Sequence, residues 1–306
     1  GWSTTWQGDK EELYPREKQT ILEAIQEKVG RSNVAYVEAV TFDRETDIAG
    51  AAATARNVDV IVACIGEPPY CETPGNIDDL TMSAPQLQLV QALAKTGKPV
   101  VVVLVEGRPR VIRPIVDDTK AILMAYLPGL EGGRAVADVL FGDVGPSGRL
   151  PFTYPKYASG FMTYDHKPSE EKAPNKFDPQ WEFGHGLSYA RLVYHGLRVD
   201  ASEMTPRDKL TVTVEVSNNG DRPAKDTVQL YLSDLVASVT PPVKVLKRFE
   251  KVDIPGKDTQ TVRFELGWDD LAFIGLDGKP VVEPGAFKVH VGKMSVGFVA
   301  RATKKK

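Results

Sequence analysis

The 306-residue sequence predicts an α/β layer followed by an all-β sandwich. Two textures and a break between them carry that expectation. In the first half, continuous apolar runs at 58–66, 98–107 and 120–128 alternate with helical patterns at short spacing, the mark of a largely parallel sheet. After about residue 190, short alternating stretches are separated by turn dipeptides. Between them, 156–190 is rich in Pro, Lys, Tyr and Asp and has no period, so it reads as a long connection. The expected organisation is therefore 1–155, a connection over 156–190, and 191–306.

Taken in order, residues 17–29 (EKQTILEAIQEKV) set Ile21, Leu22, Ile25 and Val29 on one face of a helix that Gly30 stops. NVAYVEAV (33–40) reads as a short strand, and DIAGAAATARN (47–57) as a helix of small residues. VDVIVACIG (58–66), a continuous apolar run once past Asp59, is what a strand covered on both faces requires. In 83–97, Ser83 can cap a helix, Pro85 suits its first turn and Gly97 follows its end. KPVVVVLVEG (98–107) and KAILMAYLP (120–128) are two more strands, and EGGRAVADVLFGD (131–143) another helix.

The later strands are expected at 209–220, 226–234, 243–256, 259–267 and 285–293, with turns at Asn219-Gly220, Pro255-Gly256 and Asp277-Gly278. About seven such strands in roughly 110 residues indicate an antiparallel sandwich of fibronectin type III or immunoglobulin kind.

Composition narrows the function. With 42% hydrophobic and 26% charged residues the chain can bury a core, which argues against disorder. A net charge of −3 without a basic stripe argues against nucleic acid as a partner. No stretch approaches the roughly 18 apolar residues of a membrane span. Two cysteines, Cys64 and Cys71, are too few for a disulfide framework and are read as free thiols. The four histidines lack metal-ligand spacing, and His185, between glycines, reads as part of a turn. The opening GWSTTWQGDK has neither an initiator Met nor a signal-peptide pattern, which reads as a processed or truncated product. RATKKK reads as a solvated tail.

Two segments could carry chemistry. GEPPYCETPGN (66–76) follows the strand at 58–66, and ligands of open α/β sheets bind beyond the carboxyl ends of strands. Glu67 or Glu72 there can serve as a general acid where burial or a like charge raises its pKa. Equally, Glu67 can be a hydrogen-bonding residue and Glu72 a solvated one; residue chemistry alone leaves both open. Asp78 and Asp79 read as helix-entry charges. In WSTTWQG, Trp2 and Trp6 are four apart, and an aromatic face suits a sugar ring as well as it suits a domain edge. The glycine-rich 126–155 lacks G-x-x-x-x-G-K-[ST] and G-x-G-x-x-G, so it reads as a tight strand-to-helix turn. No G-x-S-x-G elbow is present.

Taken together, WSTTWQGD, GEPPYCETPGN, LPGLEGGRAVADVLFGDVGPSGRLPFTYP, FGHGLSY, DTVQLYLSD, VKVLKRFEKVDIPG and EPGAFKVHVGK resemble, in order, the carboxyl-terminal part of glycoside hydrolase family 3, the β-glucosidases and β-glucan exohydrolases. The resemblance covers nearly the whole chain, and EGGRAVADVLFGDVGPSGRLP followed by FGHGLSY is its most specific portion. It implies an α/β sandwich domain followed by a fibronectin type III-like domain. An amino-terminal (β/α)8-like barrel would supply an aspartate nucleophile in a retaining reaction on a β-glucoside or β-glucan oligosaccharide. By the same match Glu72 is the acid/base and Trp6 part of an aromatic clamp; Tyr70, in the same loop, is expected to contact the substrate, and no cofactor or metal is needed. β-Xylosidases and arabinofuranosidases share the scaffold, and a carbohydrate-binding or structural fragment is the non-enzymatic alternative. A periplasmic or secreted site suits such substrates. One departure stands out: Gly75-Asn76 occupies the place where the family commonly has Gly-Asp.

Overall fold

The computed structural model describes residues 3–8, 10–160, 162–168 and 176–302. Trp2 and the end of the lysine tail lie outside them. The chain forms two compact units, Gly1–Val144 with Pro155–Phe161, and Gly145–Tyr154 with Met162–Lys306.

In the first unit, helix α1 (Ile21–Val29) opens on a reciprocal cap. The Glu23 N–H donates to Thr20 Oγ1 at 3.2 Å, and the Glu23 carboxylate accepts from the Thr20 N–H at 2.9 Å. Gly30, at φ +87°, ends it. Asp47 caps α2 (Ile48–Ala55) through the Gly50 N–H at 2.8 Å. Then follow β1 (Ile61–Gly66), α3 (Ala84–Ala94), β2 (Val100–Val105), the one-turn α4 (Arg113–Val116), β3 (Ala121–Met124) and α5 (Gly132–Leu140). The strands lie in the order β1-β2-β3, all parallel, with Ile61 opposite Val100 and Val101 opposite Ala121. Val102, Val103 and Leu104 of the central strand are fully buried, as its unbroken apolar run requires.

The strand expected over 33–40 does not form. Its alternation is genuine, but among the described residues no neighbouring strand offers a ladder. Val40 makes a single antiparallel bridge to Glu45, and Tyr36 remains 62% exposed. The glycines of 131–143 serve packing: a Cβ on Gly133 would lie 2.2 Å from the Gln19 carbonyl oxygen, so its absence lets α5 approach the start of α1.

The second unit holds β4 (Leu192–Val199), β5 (Glu203–Met204), β6 (Leu210–Asn218), β7 (Ala224–Asp234), β8 (Val245–Ile254), β9 (Thr259–Leu266), β10 (Phe273–Ile274), β11 (Pro280–Val281), β12 (Gly285–Val291) and β13 (Met294–Ala300). They form a five-stranded sheet, β5-β13-β12-β7-β8, and a three-stranded sheet, β4-β6-β9, with β10 and β11 paired apart. All pairs are antiparallel except β13 with β5. The core is built by alternation: Val212, Val214 and Val216 of β6 share it with Val228, Leu230 and Leu232 of β7 and Phe287, Val289 and Val291 of β12. β4 and β13 each carry a glycine at mid-strand, Gly196 and Gly297, which obscures their alternation in the sequence. At Gly196 the register of β4 against β6 shifts. One carboxylate is buried here and fully engaged: Asp226 accepts from Tyr194 Oη at 2.6 Å, from the Thr227 N–H at 2.8 Å and from Arg149. Burial, then this carboxylate, pushes the Tyr194 phenol well above its ordinary range.

Leu230 is fully buried between the sheets. Leu230→Ala is expected to cost about 2–5 kcal/mol of stability, seen as a lowered urea midpoint with little change in the slope of the transition.

Candidate active site

The loop 66–76 leaves the carboxyl end of β1, and its shape is fixed residue by residue. It begins at Gly66, where any Cβ would sit 2.0 Å from the Val105 carbonyl oxygen of the neighbouring strand. The Gly66 N–H donates to Oε1 of Gln86 at 2.7 Å, and Gln86 Nε2 returns a hydrogen bond to the Gly66 carbonyl at 3.0 Å. That amide, buried on α3, also donates to the Phe42 carbonyl and to Ser83 Oγ, both at 3.0 Å.

Glu67 follows, with its side chain only 4% exposed. Its Oε1 lies 3.0 Å from Arg108 Nε and 2.9 Å from Arg110 Nη1, and Oε2 accepts from the Gly107 N–H at 3.3 Å. Arg110 Nη2 goes on to the Thr81 carbonyl at 2.6 Å, so one buried carboxylate ties the loop to the end of β2 and to the approach to α3. Of the two readings of Glu67, this geometry matches the hydrogen-bonding one.

Tyr70 is held by the same arginine. Arg108 Nε donates to its hydroxyl at 3.1 Å, and the guanidinium lies 4.1 Å from the ring centroid, a cation–π contact. The ring occupies space that only glycines leave: a Cβ on Gly75 would meet Tyr70 Cδ2 at 2.3 Å, and one on Gly107 would meet Oη at 2.4 Å. Burial raises the Tyr70 phenol above its usual range, against the opposing pull of Arg108.

The far end of the loop is held by a second amide. The Cys71 N–H donates to Gln7 Oε1 at 2.6 Å, and Gln7 Nε2 donates to the Cys71 carbonyl at 3.1 Å. Gln7 thus treats Cys71 as Gln86 treats Gly66. Cys71 is buried, Cys64 is exposed, and both are free thiols, as read from the sequence.

Glu72 comes next, and its backbone is unusual. At φ 54° and ψ −142° it occupies a region where glycine is almost alone in being comfortable. It is exposed, and its carbonyl accepts from the Gly75 N–H at 2.8 Å to start the short turn Thr73–Gly75. Trp6, adjacent to Gln7, is 52% exposed. Through Gln7 the structure therefore joins the segments of two candidate residues, Trp6 and Glu72, while Tyr70 stands one residue before Cys71. Asp79 accepts from the Thr81 N–H at 2.7 Å, and the Thr81 side chain first, then that bond, hold it below the usual carboxylate range, in keeping with a role at the entry to α3.

Sequence reading alone missed Gln7, Gln86, Arg108 and Arg110. For the arginines a signal existed: EGRPR follows the strand at 98–107, and a parallel neighbour places its carboxyl end beside the loop at 66–76. In the second unit, an open groove of about 740 Å³ is lined by Arg149, Trp181, Gln229, Tyr231, Lys244 and His290 among others. Among the described residues no group of three or more His, Cys, Asp or Glu is arranged to hold a metal ion. No helix there is long and apolar enough to cross a membrane.

A parallel α/β unit with a carboxylate-bearing loop beyond its strand ends is followed in the chain by a fibronectin-like sandwich, and comparison with known protein families places this build among the glycoside hydrolases. The model for the glycosyl hydrolase family 3 C-terminal domain matches residues 1–189, and that for a fibronectin type III-like domain matches 226–295. The chain belongs to glycoside hydrolase family 3. A lysosomal beta glucosidase of Dictyostelium discoideum is 41% identical over 97% of this chain and 38% of its own length. A beta-xylosidase of Formosa agariphila is 35% identical over 90% of this chain and 40% of its own. A mutant beta-glucosidase of Listeria innocua, solved in complex with laminaribiose, superposes with a TM-score of 0.83 at 28% identity, over 94% of this chain and 43% of its own. The chain thus spans about two fifths of the relatives it matches.

Two stability effects are expected. Glu67→Ala leaves two largely buried guanidinium groups facing each other, and should cost about 3 kcal/mol in denaturant unfolding. Glu72→Gly releases the backbone strain and should raise stability by about 1 kcal/mol, read as a higher Tm, after glycine's entropic penalty is set against the relief.

Proposed function

We propose that this chain is the carboxyl-terminal part of an exo-acting, retaining β-glucosidase that releases non-reducing terminal β-D-glucosyl residues, and that Glu72 is its general acid/base. The observation that carries the reading is the conformation of Glu72. An exposed carboxylate is held in a strained backbone geometry, on a loop anchored at both ends, beside a segment that presents a tryptophan. Strain of that kind persists only where surrounding structure imposes it, and it gathers at functional sites.

In this reading a barrel belonging to the longer protein supplies an aspartate that attacks the anomeric carbon. Glu72 protonates the departing glycosidic oxygen, then removes a proton from the water that hydrolyses the glycosyl-enzyme. A retaining pair works at about 5 Å, so a rigid loop is an advantage: a carboxylate free to swing would lose that spacing. Trp6 offers an exposed aromatic face to the sugar beyond the cleaved bond. Tyr70 contacts the saccharide through the part of its ring that Arg108 does not cover. The chain by itself contains no such nucleophile and is not expected to hydrolyse glucosides alone.

The 35% identity to a relative named beta-xylosidase supports a second reading on the same chemistry, hydrolysis of β-xylosides. Parallel assays with aryl β-glucosides and aryl β-xylosides decide between them.

The test of the acid/base belongs in the full-length enzyme. Glu72→Ala should lower kcat/KM by about 10²–10⁴-fold for cellobiose-like substrates, whose leaving groups need a proton. For activated aryl glucosides the glycosylation step should be little changed. Azide should restore turnover and yield a β-glucosyl azide. Unchanged activity on cellobiose-like substrates would remove Glu72 from this role.

A further inference from the structure

We infer that Gln7 is a positioning residue for the acid/base: its side-chain amide fixes the peptide plane that sets the backbone angle of Glu72. The inference rests on the reading of Glu72 as acid/base and adds to it a residue 65 positions away in the chain whose own chemistry takes no part in the reaction.

The geometry is specific. The torsion φ of Glu72 is defined against the peptide group linking Cys71 to Glu72, and the oxygen of that group is the Cys71 carbonyl. Gln7 Nε2 donates to this oxygen at 3.1 Å, while Gln7 Oε1 accepts from the Cys71 N–H at 2.6 Å. Together the two bonds hold Cys71 on both sides, as a neighbouring strand would, and resist rotation of the peptide plane. Released from that hold, Glu72 has every reason to relax to negative φ, because an L-residue at φ 54°, ψ −142° lies about 1–3 kcal/mol above its ordinary basins. Relaxation would swing the carboxylate away from its working position. Upstream, Gln86 and the Glu67 pair with Arg108 and Arg110 form a largely buried anchor. Downstream, the turn Thr73–Gly75 is closed by bonds within the loop itself. Gln7 is thus the long-range restraint next to Glu72, and it is only partly buried, so it can be changed with little loss of core.

A merely structural glutamine would, when removed, lower activity equally for every substrate. A positioning residue for the proton donor predicts a loss that grows with the leaving group's need for a proton. The experiment uses the full-length enzyme as wild type, Gln7→Ala, Gln7→Glu and Glu72→Ala, with a series of aryl and alkyl β-glucosides spanning leaving-group pKa. For Gln7→Ala, kcat/KM is expected to fall about 30–100-fold for cellobiose and alkyl glucosides, the scale of a displacement of roughly 1 Å. It should fall less than about threefold for dinitrophenyl glucoside, since that step draws little on general acid catalysis. The slope against leaving-group pKa then lies between those of wild type and Glu72→Ala.

Gln7→Glu supplies the check that survives a folding defect in the alanine variant. Ionised, its carboxylate can accept from the Cys71 N–H but sets an oxygen against the Cys71 carbonyl; protonated, it regains a donor and mimics the amide. Its activity on cellobiose relative to wild type at the same pH, normalised to dinitrophenyl glucoside, should therefore recover as pH falls through the ordinary glutamic acid range near ~4.3. A steep slope for Glu72→Ala with a uniform loss, or none, in Gln7→Ala overturns the positioning role and leaves the acid/base standing. Should Gln7→Ala not fold, a Gln7→Glu ratio that ignores pH overturns it likewise. A flat slope for Glu72→Ala removes the acid/base itself, and the role of Gln7 with it.

Discussion

The loop beyond β1 depends on one device used twice. A glutamine side chain grips both the N–H and the C=O of a single backbone residue, Gln86 at Gly66 and Gln7 at Cys71. A loop of this kind has no ladder of its own, and its backbone groups must be satisfied by something other than a strand. A primary amide suits the task because it carries a donor and an acceptor side by side, spaced like those of a peptide group. What lies between the grips inherits their stiffness: the buried Glu67, the stacked Tyr70, and the prolines Pro68 and Pro69 that restrict φ directly.

The charged network beneath the loop has a different character. Glu67 meets Arg108 and Arg110 in a pocket that excludes most water, and such a pair contributes more to geometry than to net stability, since each ion gave up its hydration. Arg108 extends the network by covering the Tyr70 ring while bonding its hydroxyl. The arrangement separates labour between the two glutamates of the loop. The one with two cations around it is committed to holding the chain, and the other keeps the exposed side chain that the role proposed for it requires.

Much of this fold is legible in the sequence because burial writes itself into periodicity. The stretches IVACIG and VVVVLV have no charged position, and both became strands, the central one of them buried along most of its length. The valines of LTVTVEV alternate because one face of β6 is core. NVAYVEAV alternates too, yet forms no ladder, since a pattern states which face prefers burial and not whether a partner strand is there. The site is legible only in part. The loop's place at a strand end follows from the parallel order, but a glutamine that bonds a backbone group far along the chain has no periodicity and no neighbour to betray it. Nor can composition announce that a glutamate will sit at positive φ. Glycine would have been the expected residue at such a turn, and its absence at position 72 becomes meaningful only with coordinates.

The two grips also differ in how far the chain must travel to make them. Gln86 closes on Gly66 across 20 residues, from the first turn of α3; Gln7 closes on Cys71 across 64. Contacts of long separation carry the larger loop-closure entropy and are made later as a chain folds. The strand end is accordingly set as soon as β1 and α3 associate, while the conformation of Glu72 waits for the segment around Trp6 to dock. On warming the sequence runs backwards: the outer grip, which is only partly buried, opens at a free energy below that of global unfolding. Trp6 and Glu72 would then be released in one event, and under the role proposed for them activity would be lost over a range of temperature in which both compact units are still folded.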